Sequence, residues 1–475
     1  NAPAREFFRF ADMPISASTL GRHAALDARL VAAVRGIRLL QAVSWPQHVQ
    51  QDFLAAWRAG RSVLPQVRYA VPELADVRRE LAAIADAADA DEPLGLYLRR
   101  TADSWSVAAQ LLEAVGTPAV TDFSVRLFGR PGDVLPGDGP SNLDAARHFI
   151  DVADELDQEL HAGEADYVLS AQTVQAELQA AMDAFFVHHT VSVELDPDLI
   201  AKAAAGPTRI RLRSGTAFSE YDRHQLLEHE AFVHTLTGLN GREQPHLKSL
   251  GRGSPRTTAT QEGLATFAEL ISGSMDIERM KRISLRIVAI DKAIHGADFV
   301  EVFRFFIDSG QSALDSFTSS QRVFRGVPLG GGAAFTKDTV YLHGLLSVHT
   351  FFRWCLRHRR LRLTRLLFAG KMTLTDVQRF EPLFESAGFY VFEDDGVVQG
   401  FYKVQRHLGR AAHVAYLGTL AVAPEVRGSG LARRHLTLAG HEYLTHDHVF
   451  DFVRLYPCTL QGCSNCKPSK FSGAK

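Results

Sequence analysis

The chain is expected to be α+β and mainly helical, on three observations. Apolar residues recur at helical spacing in successive stripes before residue 190. Strand-like alternation then precedes a histidine-bearing helix, His229-Glu230-Ala231-Phe232-Val233-His234. Past residue 387 the texture turns to strands again, with a glycine-rich turn leading into a helix. At 475 residues, two or three domains are expected. Hydrophobic content of 46% and charged content of 22% suit a soluble globular protein, and a net charge of -2 supplies no global attraction to nucleic acid or an anionic membrane. No apolar run reaches the length of a membrane span, and Asn1–Glu6 carries no signal-peptide pattern.

In the first part, Leu30, Val31, Ala33, Val34, Ile37 and Leu40 form one helical stripe. Leu74, Val77, Leu81, Ile84 and Ala85 form a second, and Ala108, Leu111, Leu112 and Val115 a third. The stretch 129–140 is rich in turn residues, after which Ser141 and Asp144 cap a new helix. None of these stripes carries a catalytic signature, so a packed helical region is expected. From about 190, Val191–Leu195 and Thr208–Arg213 alternate as half-buried strands. Ser219 and Asp222 then cap a helix that buries Leu226, Leu227, Ala231 and Phe232 and is expected to stop at Asn240-Gly241. Thr258-Ala-Thr-Gln261 reads as a second cap, opening an apolar helix that runs to Gly273 with Glu262 in its first turn. The segment 240–245 is expected to be a tight turn bringing the two helices together.

Two histidines flanking a glutamate, with a further carboxylate at Glu262, are what a zinc hydrolase needs: three ligands, an open position, and a base beside it. The usual spacing is His-Glu-x-x-His, however, and here it is one residue longer. Five steps of about 100° leave the imidazoles roughly 140° apart on an ideal α-helix. Both can meet one metal only if the helix widens by a π-type turn or ends between them. The competing reading is a surface helix in a chain with 20 histidines. His441-Glu442-Tyr443-Leu444-Thr445-His446 repeats the string in a setting that favours such a surface helix.

His229-Glu230-x-x-x-His234, Asn240-Gly241-x-x-Gln244-Pro245 and Gln261-Glu262-Gly263-Leu264-Ala265, in this order, resemble the bacterial family named for its QEGLA motif. That family is described as modulating flavohaemoglobin expression and is related to the microtubule-associated tyrosine carboxypeptidases. Phe335-Thr336-Lys337-Asp338-x-Val340-Tyr341-Leu342 and Ala369-Gly370-Lys371-Met372-Thr373-Leu374 fit the same pattern, so the resemblance spans roughly residues 20 to 385. It implies a zinc-metallopeptidase-like core, with His229, His234 and Glu262 as ligands and Glu230 as general base. It also implies carboxypeptidase chemistry on a peptide or protein C-terminus.

Such chemistry needs a cation for the terminal carboxylate and a donor for the oxyanion. Lys337 and Tyr341, four residues apart, are candidates; ordinary surface or core-edge roles are the alternative. Gly330-Gly331-Gly332 is expected to form a mobile loop near the site. The basic run Arg353, Arg357, Arg359, Arg360, Arg362 and Arg365 reads as a solvated helix face or as a surface for an acidic peptide or nucleic acid, the solvated face being preferred.

After Phe384-Glu385-Ser386, strand-like segments lead to Pro424-Glu-Val-Arg427-Gly428-Ser-Gly430-Leu-Ala432. A strand, a glycine-rich turn and a helix N-terminus cradle a pyrophosphate with backbone N–H groups. The pattern resembles the acetyl-CoA loop of the GNAT acetyltransferases, which implies acetyl-CoA at Arg427, Gly428, Gly430 and Ala432. About ninety residues are short for that fold, and an incomplete module is expected. Of four cysteines, Cys355 stands alone, while Cys458, Cys463 and Cys466 crowd the end. They suit either zinc with a histidine such as His446 or His448, or a tail with free thiols; the absence of a disulfide framework favours a cytoplasmic, reducing setting.

The expected organisation is a helical region over 1–190, a metallopeptidase core over 191–386 and a small α/β GNAT-like module over 387–475. The leading expectation is a zinc-dependent carboxypeptidase without a membrane or nucleic-acid partner. The alternatives are an acetyl-CoA-dependent N-acetyltransferase whose metal domain binds or regulates, and a regulatory protein that keeps the metal site.

Overall fold

In the computed structural model, the structure describes residues 16–386 apart from 137–138, 161–168, 187–188, 198, 200–201 and 207, together with 393–394 and 397–398. The strands and acetyl-CoA loop expected after 398, the second histidine string and the three terminal cysteines lie outside the described residues. The described part is mainly helical. Among the described residues, eight helices precede residue 190, from Ala17–Ala33 to Ala171–Phe185. Ser16 caps the first by accepting from the Thr19 N–H, and Ser141 and Asp144 cap Asn142–Leu160 as the sequence predicts. Leu30, Val34, Leu81, Ile84, Ala108, Leu111 and Leu112 are buried as their stripes require, whereas Leu40 is 43% exposed. One buried apolar cluster extends from Leu26 to Phe384, so the early helices and the later ones share packing. Trp45 and Phe53, for example, pack tilted or edge-on against Phe299 and Phe317.

The two predicted strands are present as β1 (Ser192–Asp196) and β3 (Arg209–Arg213), paired in parallel. Between them in sequence, β2 (Ala203–Ala205) adds antiparallel to the other side of β3, giving the order β1-β3-β2. Three alanines carry no strand signal, and the sequence reading missed this strand.

Two crossing helices organise the second half of the fold. Thr258–Ile271 lies directly on Val340–Arg357, and the contact is made at glycines. A Cβ on Gly263 would sit 2.2 Å from the Gly344 carbonyl carbon, so the two backbones touch. This close crossing places Glu262, next to Gly263, beside the start of the second helix.

Three expectations are corrected here. Asn240-Gly241 does not stop its helix; Leu236–Glu243 runs through it and the chain turns at Gln244. Gly241 is needed because a Cβ there would lie 2.1 Å from the Leu250 carbonyl oxygen. The cap of Thr258–Ile271 comes earlier than predicted: Ser254 and Thr257 close a short 3-10 turn, and Glu262 lies in the second turn of the helix. Gly330–Gly332 is held rather than mobile. Gly331 packs on Gly296, and the Gly332 N–H donates to the Ala293 carbonyl at 2.9 Å.

Candidate metal centre

The histidine pair lies on a π-helix, Leu227–Thr235, set between the capped helix Glu220–Leu226 and Leu236–Glu243. A π turn closes each hydrogen bond five residues back, which stacks residues i and i+5. The Leu236 N–H accordingly donates to the Ala231 carbonyl. His229 and His234, which an α-helix would splay, come together with ring centroids 4.7 Å apart. The distortion that the spacing demanded is present.

The crossing helix supplies the third group. His229 Nε2 is 3.4 Å and His234 Nε2 3.7 Å from Glu262 Oε2, and one donor atom from each residue falls within 4.8 Å of the others. Tetrahedral bonds of about 2.0–2.2 Å place zinc ligands roughly 3.3–3.6 Å apart, close to the two distances that Glu262 makes with the histidines. Two imidazoles and a carboxylate also suit that ion chemically.

The supporting groups were not foreseen from sequence. His229 Nδ1 lies 2.5 Å from Glu269 Oε1, which commits that nitrogen and turns Nε2 toward Glu262. Glu269, fully buried, is in turn held by Arg279 through Nη2 at 2.8 Å and through Nε. Burial would raise the Glu269 pKa, but the Arg279 charge and the His229 bond hold it down to about 2. Burial likewise opposes a charge on His229, yet Glu262 and Glu269 push its pKa up to about 10. The available signal was spacing: Glu269 follows Glu262 by two helical turns on an otherwise apolar face.

Glu230 is half-buried, and its Oε2 accepts from the Ala205 N–H of β2 at 2.9 Å. Lys337 Nζ donates to Glu262 Oε1 at 2.7 Å and to the Tyr341 hydroxyl at 3.1 Å. Both sequence candidates are thus brought to the site, with the Lys337 ammonium engaged by Glu262. Burial would lower the Lys337 pKa, but the Glu262 carboxylate raises it above the ordinary lysine value. Glu262 is the mirror case: burial opposes ionisation, and Lys337 with the two imidazoles holds it well below the usual carboxylate range.

A second lysine completes the surroundings. Burial lowers the Lys371 pKa, and the charges of Glu230 and Glu262 oppose that shift. Its segment is clasped from the π-helix side. Asn240 Nδ2 donates to the Phe368 carbonyl at 2.8 Å, Gln244 Nε2 to the Ala369 carbonyl at 2.9 Å, and the Lys371 N–H to the Leu250 carbonyl at 2.7 Å. Within the basic run, Arg360 pairs with Glu381.

Comparison with family models matches residues 51–389 to the microtubule-associated tyrosine carboxypeptidases. The chain belongs to this family. Microtubule-associated tyrosine carboxypeptidase 1 of Mus musculus is 29% identical over 206 residues, and that of Rattus norvegicus 30% over 208 residues. Each alignment covers 40% of this chain and 41% of the relative, so the chain spans about two fifths of the curated tyrosine carboxypeptidases it matches. A C-terminal GNAT acetyltransferase domain follows, matched over 359–450 and overlapping the carboxypeptidase match. There the chain is 38% identical over 92 residues to mycothiol acetyltransferase of Thermobispora bispora, covering 18% of this chain and 30% of that protein. Trypanosoma cruzi metallocarboxypeptidase 1 aligns over 86% of this chain and 99% of its own at a TM-score of 0.28 and 12% identity. Among the described residues, no helix of this tyrosine carboxypeptidase family member is long and apolar enough to cross a membrane.

Proposed function

We propose that the chain is a zinc-dependent carboxypeptidase that releases the last residue of a peptide or protein. The observation that carries this reading is the π turn that brings His229 and His234 onto Glu262. Membership of the carboxypeptidase family supports it. In this reading His229, His234 and Glu262 hold the metal, which when bound supplies a water of lowered pKa and an electrophile for the scissile carbonyl.

The protein's own groups do the rest. Glu230 takes a proton from the attacking water and passes it to the leaving amine. The Ala205 N–H fixes Oε2 of Glu230 and leaves Oε1 for the transfer. Lys337 and Arg322 can only donate, at 3.1 and 3.4 Å, to the Tyr341 oxygen, so the phenolic proton is left for another acceptor. That directs Tyr341 to the oxyanion. Lys337 positions Glu262, and Lys371, whose charge is coupled to those of Glu230 and Glu262, is the cation for the substrate's terminal carboxylate.

Cleavage of a C-terminal peptide library, with metal content measured alongside, tests the reading. Glu230→Gln is expected to lower kcat by about 10²–10⁴-fold while zinc stays bound. A zinc-loaded protein that cleaves no member of the library, or cleavage that persists after zinc is removed, would remove the proposal. A second reading rests on the GNAT match and the glycine turn at Arg427, Gly428, Gly430 and Ala432: the same chain binds acetyl-CoA and transfers its acetyl group to an amine, with the metal domain binding or regulating. Calorimetry with acetyl-CoA, repeated on Gly430→Trp, tests that binding.

A further inference from the structure

Residues 62–73 run over the surface without a turn, a bend or a strand partner. The Arg61 N–H closes the preceding helix on the Ala56 carbonyl, and the Leu74 carbonyl opens the next helix by accepting from the Arg78 N–H. Between these points no backbone group bonds to other backbone among the described residues. The segment is nevertheless held in place. Tyr69 accepts at its hydroxyl from Trp45 Nε1 at 2.6 Å and from the Gly326 N–H at 2.9 Å, and Val67 packs on the core. Burial alternates along it: Pro65, Val67 and Tyr69 are half-buried, and Gln66, Arg68 and Ala70 are exposed. A straight run with this period of two is a strand laid on the surface with no neighbour.

Such a strand is a template for another chain, and proteins blunt it with proline and charge. Here the blunting is one-sided. Successive residues turn their backbone groups to alternate edges, so Pro65 interrupts one edge. On the other edge Leu64, Gln66, Arg68 and Ala70 offer an unbroken row of N–H and C=O groups, with Pro72 only at its end. Apolar side chains accompany that row, since Val63, Leu64 and Val71 are 57%, 39% and 56% exposed. The strand is already ordered, so pairing costs little further entropy.

The segment is complementary to itself. Identical antiparallel strands related by a twofold axis can only pair in registers centred on one residue. Centred on Val67, Arg61 falls opposite the partner's Glu73 and Val63 opposite the partner's Val71. Gln66 and Arg68 then form hydrogen-bonded pairs, and Pro65 falls in a pair that needs no N–H. A centre at Arg68 would set like charges face to face, and one at Gln66 would leave Arg61 opposite Val71. Arg61 and Glu73 are exposed and make no ion pair among the described residues, so both charges are available.

We propose that two copies of this chain associate about a twofold axis by pairing residues 62–73 as antiparallel strands centred on Val67. This interface is independent of the peptidase reading.

Sedimentation equilibrium of the full chain under reducing conditions tests it. A reversible monomer–dimer equilibrium is expected between about 1 and 100 µM. Arg61→Glu and Glu73→Arg, each of which sets like charges opposite each other twice in the dimer, should raise its dissociation constant at least about fivefold. Both substitutions in one chain, or an equimolar mixture of the two single variants, should restore it. Gln66→Pro removes a partner-facing N–H and should weaken the dimer by at least as much. The melting temperature of the two charge variants in dilute solution should match the wild type, because neither side chain has an ion-pair partner within the chain. A chain that stays monomeric throughout overturns the proposal. So does a dimer that the single charge variants leave intact, or one that the double swap fails to restore.

Discussion

At His229 the two ring nitrogens have different tasks, and a residue that never reaches the metal separates them. Glu269 accepts at Nδ1, which fixes the tautomer and aims Nε2 at the ligand position. Replacing Glu269 with Gln keeps the shape and removes the charge. Zinc affinity should then fall by about 10–100-fold in a chelator competition. Arg279 would also lose its buried counter-ion, and unfolding stability should drop by about 3 kcal/mol. At this scale the sequence singled out His229, His234 and Glu262, which the fold gathers, because three motifs in a fixed order set them apart from the second histidine string at 441–446. It did not show Glu269 and Arg279. A buried ion pair on apolar helix faces reads, residue by residue, as two ordinary surface charges.

Among the elements, the helix crossing at Gly263 and Gly344 decides whether Glu262 meets the histidines at all. Gly263→Ala would drive a Cβ into the Gly344 backbone, which has no side chain to yield. The variant should lose roughly 3 kcal/mol or more by denaturant unfolding, together with zinc, because the helices part at the residue beside Glu262. The π turn was legible as one of two ways for a five-residue spacing to converge, the other being a helix that ends between the histidines. Asn240-Gly241 was misread because a glycine that ends a helix and a glycine that admits a neighbouring backbone are the same letter. The edge strand that steadies Glu230 was invisible for a different reason. Three alanines pair with β3 through backbone groups and tertiary context, not propensity.

For the molecule as a whole, the first helix reaches the site through a buried carboxyl. Asp27 accepts from the Ser249 N–H at 3.1 Å, in the turn Lys248–Gly251 whose Leu250 carbonyl receives the Lys371 N–H. Burial pushes Asp27 up to about 6, above a value near 4 expected in the unfolded chain. Its neutral form therefore favours folding: the contribution is full below about pH 4 and is lost as pH rises through 6. A rise of that size corresponds to about 3 kcal/mol. Asp27→Asn keeps an oxygen for Ser249, so its melting temperature should lose the decline between pH 4 and 6 and exceed that of the wild type above pH 6.

The π turn also constrains how this chain could ever change. Deleting one residue between His229 and His234 would restore an ordinary α-helix and even keep both imidazoles on one face. It would also swing everything downstream by about 100°. Asn240 and Gln244 would then turn away from the Phe368 and Ala369 carbonyls, and Gly241 from Leu250. An inserted residue could be removed freely only before those contacts formed. With them in place the step works as a ratchet, and a return to the shorter spacing would require the far side of the site to be rebuilt at the same time.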